Sequence, residues 1–172
     1  MLDSTVVVPE PAHTPEQQTE LSDEAVIGES KLNSNGYFVR INPAAPKRPP
    51  VSAPPLVLVV EDDEVTAILL TRILAANDFR VIKAGNRAEI LSGLKAAPDL
   101  VILDVLMPDA NGLDILNRIR QQPKLADLPV LMLSSLGAVE DILRGLKLGA
   151  NGYLTKPAKS KALLTAIQQV LF

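Results

Sequence analysis

Three uninterrupted apolar runs, Leu56–Val60 and the stretches 100–103 and 130–133, restrict this chain more than any other feature. None alternates polar with apolar residues, so none suits a sheet with one wet face. Short continuous runs of this kind mark strands buried on both sides. A sheet covered twice needs helices as cover, and helical patterns fill the gaps. Val65, Ile68, Leu69, Arg72, Ile73 and Ala76 recur at helical spacing, with the Arg72 stem able to lie along the apolar stripe. Ile115, Leu116 and Ile119 repeat the pattern, as do Leu163, Ala166, Ile167, Val170 and Leu171. Residues 87–96 and 140–148 make five helices, the last weakened by Gly145. Arg80–Ala84 and Gly152–Thr155 are weaker strands, expected nearer the sheet edges. Five βα units with right-handed crossovers give a three-layer, doubly wound α/β domain over residues 56–172, long enough for one core. No second folded domain is expected after the fifth helix.

Residues 1–55 read differently. They hold nine of the fourteen prolines and no sustained apolar period. Seven acids against four bases put the whole net charge of −3 there, because the remainder balances at thirteen of each. The expectation is a disordered, Pro-rich extension, ending in a stiff polyproline-like linker over residues 44–55. Within it, Gly36, Tyr37, Phe38, Val39, Arg40 and Ile41 hold two of the five aromatics, and read as a sticky stretch or a recognition segment that orders on a partner. A near-neutral folded part gives no electrostatic case for nucleic acid. The chain has no cysteine, no run long enough to cross a membrane, and no basic, apolar leader at residues 1–5. A cytoplasmic protein without membrane or nucleic-acid partners is expected.

Each apolar run ends in polar groups. Glu61, Asp62, Asp63 and Glu64 follow the first, Asp104 ends the second, and Ser134 and Ser135 close the third. Lys156 and Pro157 follow Thr155. In a parallel α/β sheet these C-terminal ends share one edge, where such folds build sites. Carboxylates about 4 Å apart repel by roughly 4 kcal/mol at an intermediate dielectric. Glu61, Asp62 and Asp104 together therefore call for a cation, and hard oxygen ligands without His or Cys favour Mg²⁺. Asp104 is the candidate nucleophile toward phosphorus, with Lys156 and Ser134 to hold phosphoryl oxygens. Asp62 and Asp63 also sit where a helix N-cap is wanted, and both roles can hold.

Residues 56–172 resemble the receiver domain of two-component response regulators, including the single-domain chemotaxis type. The resemblance rests on the acidic group from Glu61 to Glu64, on Asp104 with Met107, Pro108 and Gly112, on Ser134 thirty residues after Asp104, and on Gly149, Ala150, Tyr153, Leu154, Lys156 and Pro157. It implies a flavodoxin-like, five-stranded parallel sheet of order 2-1-3-4-5. It implies Mg²⁺ held by Glu61, Asp62, Asp104 and the backbone carbonyl of Leu106, with Asp104 taking a phosphoryl group from a sensor histidine kinase or a histidine phosphotransfer protein. Ser134 and Tyr153 form the implied switch pair, the Tyr153 ring moving inward with Ser134, and the Lys156–Pro157 bond is expected to be cis. Leu106 and Leu136, apolar where receivers vary, imply a long-lived phosphoryl state. The output is expected to be binding to a downstream protein through the surface around Tyr153, not catalysis of its own. A phosphorylation-independent scaffold is the alternative, disfavoured by the intact set of five site residues. A hydrolase of the aspartyl-phosphate type would want an Asp where Leu106 stands.

Overall fold

The computed structural model describes residues 39–135 and 139–172; the expectations for residues 1–38 and for Leu136 lie outside the described residues. The three apolar runs become β2 (Leu56–Val60), β4 (Leu100–Asp104) and β7 (Val130–Ser134), each buried throughout. β3 (Arg80–Ala84) and β8 (Gly152–Thr155) flank them. Helices α1 (Glu64–Ala75), α2 (Arg87–Lys95), α3 (Gly112–Gln121), α4 (Val139–Lys147) and α5 (Ser160–Leu171) make the crossovers. β5 (Leu106–Met107) and β6 (Ala110–Asn111) form a small antiparallel pair just after β4. The parallel strands lie in the order β3-β2-β4-β7-β8, which is the expected 2-1-3-4-5 when they are counted alone.

Alternation along the strands sorts the side chains onto two faces. Leu58, Val60, Val101, Leu103, Val130 and Met132 meet Ile90, Leu116, Ile119 and Ile142 from α2, α3 and α4. Val57, Val59, Leu100, Ile102, Leu131 and Leu133 meet Leu70, Leu74, Leu163, Ile167 and Val170 from α1 and α5. Each such side chain contributes about 1.5–3 kcal/mol by leaving water, so the strands are fixed in register and their C-terminal ends with them.

Helix α1 buries a different stripe from the one its spacing suggests. Ala67, Leu70 and Leu74 face the sheet, whereas Val65 is 76% exposed and Leu69 55%. The segment is apolar on most sides, so two stripes satisfy the same period. The Asp63 Oδ1 fixes where the helix starts by accepting the Thr66 N–H at 2.8 Å, and packing against the sheet selects the stripe. Gly145 has a positive reason to interrupt α4. A Cβ there would lie 3.3 Å from Cδ2 of Tyr153, so the helix backbone rests against that ring.

The segment 39–55 also departs from expectation. β1 (Val39–Ile41) adds a sixth strand, antiparallel to β8, with Ile41 packed into the α1/α5 core. Residues 42–55 are bound, not free. The Asn42 N–H donates to Asn151 O at 2.8 Å, Asn151 Nδ2 donates to Pro46 O at 2.7 Å, and Arg48 Nη2 donates to Pro98 O at 3.1 Å. Buried Asp99 then gathers the end of the strap. It accepts the Val51 N–H at 2.7 Å, the Leu56 N–H at 2.8 Å and the Ser52 hydroxyl. Prolines withhold backbone donors, but their carbonyls still accept, and partners on the receiver supply the rest. Asn151 joins this strap to Arg120, whose guanidinium also reaches Gly149 O and Leu128 O. Burial pushes the Arg120 pKa down to about 10, which leaves it charged at neutral pH.

Candidate functional site

The strand ends deliver the predicted groups to one rim of the sheet. Glu61 follows β2 and is buried, Asp104 ends β4 and is 5% exposed, and Ser134 ends β7 fully buried. Lys156 follows β8, and its peptide bond to Pro157 is cis as expected. The Lys156 ammonium reaches across to both carboxylates, 2.5 Å from Glu61 Oε2 and 3.0 Å from Asp104 Oδ2. Its backbone N–H is anchored on Ser134 O at 2.7 Å. Asp62 is the exposed member of the group.

One oxygen each from Glu61, Asp62 and Asp104 lie within 4.8 Å of one another. Three carboxylates against one ammonium leave two negative charges, which a single divalent cation would balance. All three donors are hard oxygens, so the residues fit Mg²⁺. Burial pushes the Glu61 carboxyl up, and Asp104 adds to that, while Lys156 works against both. Burial also works to lower the Lys156 pKa, but its hydrogen bonds to Glu61 and Asp104 outweigh it and hold the ammonium above its ordinary range. Asp63 takes no part in the cluster. It caps α1, and its carboxyl is held low by the Thr66 hydrogen bonds, so the two roles offered to the acidic loop fall on different residues.

The loop after Asp104 is built around its backbone. The Leu106 N–H donates to Asp104 Oδ1 at 3.2 Å, which turns that carboxylate, and the Leu106 side chain is half exposed beside it. Gly112 closes the loop by donating its N–H to Val105 O at 2.9 Å. A Cβ at Gly112 would lie 2.1 Å from Asp104 O and 2.9 Å from Val105 Cα, both backbone atoms. No side chain fits there. Asn111 caps α3 through Leu113 N–H at 2.8 Å and holds the loop's far end.

Tyr153 is fully buried among α3, α4 and the sheet, and its side chain is hydrogen-bonded to Ser134. Burial pushes its phenol up and the Ser134 bond opposes this. Its ring is therefore directed inward. Sequence reasoning had no signal for Asn42, Asn151 or Arg120, whose partners are mostly backbone groups, and one another, brought together by the fold.

The sequence model of the response regulator receiver domain matches residues 57–168. Among curated relatives, the phosphate regulon transcriptional regulatory protein PhoB of Rhizobium meliloti (strain 1021) is 37% identical over 119 residues, covering 68% of this chain and 52% of that protein. The DNA-binding dual master transcriptional regulator RpaA of Synechocystis is 33% identical, covering 68% and 49%. The chain thus spans about half the length of the curated relatives it matches. Among solved structures, chemotaxis protein CheY4 of Vibrio cholerae superposes with a TM-score of 0.64 at 30% identity, covering 68% of this chain and 98% of that one. A response regulator from Thermotoga maritima gives 0.61 at 30% identity, covering 68% and 97%.

Proposed function

Because this chain belongs to the response regulator receiver family, we propose that it takes a phosphoryl group from a phosphohistidine donor onto Asp104 and signals through a change in protein binding. The observation that carries this reading is the Lys156 ammonium seated between Asp104 and Glu61, within a group of three carboxylates. An Asp104 carboxylate oxygen attacks phosphorus, the new O–P bond forms, and the N–P bond to the donor imidazole breaks. Lys156, already 3.0 Å from the attacking carboxylate, is placed to follow the charge onto a phosphoryl oxygen. The Ser134 hydroxyl can donate to a second oxygen. Mg²⁺, held by Glu61, Asp62, Asp104 and the Leu106 carbonyl, would supply charge neutralisation at the phosphoryl oxygens.

The donor is a sensor histidine kinase or a histidine phosphotransfer protein. The exposed stripe of Val65, Ile68 and Leu69 on α1 begins three residues past Asp62, so a protein resting there brings its imidazole to the rim. Such donors are charged by ATP, which places the protein in the cytoplasm. No helix among the described residues is long and apolar enough to cross a membrane. The output partner is another protein, met on the face of α4, β1 and α5.

Intact mass after incubation with Mg²⁺ and a small phosphodonor tests the chemistry. One acid-labile phosphoryl group is expected, absent in Asp104→Asn. Labelling that survives this change would refute the assignment, and partner binding indifferent to phosphorylation would favour a scaffold.

A further inference from the structure

Residues 39–42 reach the phosphoryl rim without touching it. The Asn42 N–H to Asn151 O bond fixes the alternation of the antiparallel ladder. Arg40 and Tyr153 are then the next hydrogen-bonded pair, exchanging both backbone bonds. The Asn42 side chain also donates to Leu146 O at 3.2 Å, which ties down the end of α4. α4 is the helix whose Gly145 rests against the Tyr153 ring. The strap thus grips Tyr153 twice, through its own backbone and through the helix above it. From Tyr153 the path is short: its side chain is hydrogen-bonded to Ser134, and Ser134 O holds the Lys156 N–H.

We propose that residues 39–42 are a positioning element for the phosphoryl site: docked on β8, they hold Tyr153 inward and set Ser134 before the phosphoryl group arrives. This rests on the reading of Ser134 as a phosphoryl ligand. A group already set costs less ordering when the phosphoryl group is bound, so docking of the strap and binding at Asp104 favour each other. The coupling is reciprocal: occupation of the site also tightens β1 on β8.

The test uses the full chain, with beryllofluoride and Mg²⁺ as the phosphoryl mimic. Arg40→Pro removes a backbone donor from the Arg40–Tyr153 pair, and Asn42→Ala is the milder cut that releases α4. Arg48→Ala loosens the strap at its far end, away from Tyr153, and serves as the stability control. Both near-end variants are expected to weaken beryllofluoride binding about 5- to 10-fold and to speed amide exchange in β8. Arg48→Ala is expected to lower the melting temperature and leave affinity unchanged. Unchanged affinity in Arg40→Pro and Asn42→Ala, with the parent chain binding normally, overturns the proposal and leaves the acceptor reading intact. Affinity that falls in step with stability across all three variants also overturns it, since the strap is then only a brace. If the parent chain does not bind the mimic, the acceptor reading fails first and this one with it.

Discussion

Replacing Asp99 with alanine should unlatch the strap at a measurable cost. The Asp99 carboxylate accepts the Val51 N–H, the Leu56 N–H and the Ser52 hydroxyl, and is itself 1% exposed. The Leu56 amide is buried, so its loss of partner costs about 1–3 kcal/mol. Val51 is 75% exposed, so its amide can return to water and loses only the roughly 0.5–1.5 kcal/mol of an ordinary net bond, as does Ser52. The sum is about 2–6 kcal/mol, with a middle value of about 4. For a domain of this size a loss of about 4 kcal/mol corresponds to a fall of roughly 12–20 °C in Tm. The pH dependence follows from the same bonds. Burial works to raise the Asp99 carboxyl, but the Leu56, Ser52 and Val51 donors outweigh it and hold it below its ordinary value. A carboxyl depressed in the folded state contributes fully above its unfolded value, about 3.9, and loses that contribution as pH falls through the folded one. Urea unfolding at pH 7 should therefore show the whole gap between Asp99→Ala and the parent, and the gap should narrow only below about pH 4. A gap under about 0.5 kcal/mol at pH 7, or one that persists undiminished in strong acid, would show that the strap is not latched in solution.

Two further outcomes follow from the rim. Gly112→Ala forces a Cβ onto the Asp104 and Val105 backbone, neither of which can give way. It should cost about 3 kcal/mol or more in urea unfolding and slow phosphorylation by a small phosphodonor more than tenfold; stability within about 0.5 kcal/mol of the parent would contradict the packing. Asp62→Ala should weaken Mg²⁺ binding about tenfold or more, as read by calorimetric titration, because it removes one of three clustered ligands. Since Asp62 is exposed, the metal-free chain should change by less than about 1 kcal/mol, and unchanged Mg²⁺ affinity would leave the acidic loop with capping alone.

The sheet was legible because burial on both faces writes itself as continuous apolar runs, and the rim because polar groups stop those runs at set places. Glu61, Asp104, Ser134 and Lys156 could be brought together from the sequence alone, since strand ends in a parallel sheet converge whatever the loops do. Helix α1 was legible as a helix but not in its phase. Ala67, Leu70 and Leu74 compete with Val65, Ile68 and Leu69 at the same spacing, and only docking on β2 and β3 decides between them. The strap was not legible at all. Its prolines and sparse apolar residues look like a linker, and its anchors are single polar contacts to Asn151 and Asp99 from far along the chain. Gly145 misled for a related reason: its cost to α4 is local, while its use, room for Tyr153, is tertiary.

The sixth strand bears on how the protein survives at high concentration. Among the described residues the sheet ends at β3 on one side and at β1 on the other, and on β3 Arg80 and Lys83 stand exposed. Like charges on that border repel another copy of it, a common guard against stacking of sheets into aggregates. β8, which would be the opposite border without β1, has no such guard. Gly152, Tyr153, Leu154 and Thr155 carry no charge, and their free backbone groups would template the addition of any stray strand. β1 fills that border from within the same chain, at an effective concentration no outside strand can match. The two margins of one sheet are therefore protected by unrelated means, one by charge and one by self-occupation, and only the second can be lost without altering a residue of β8.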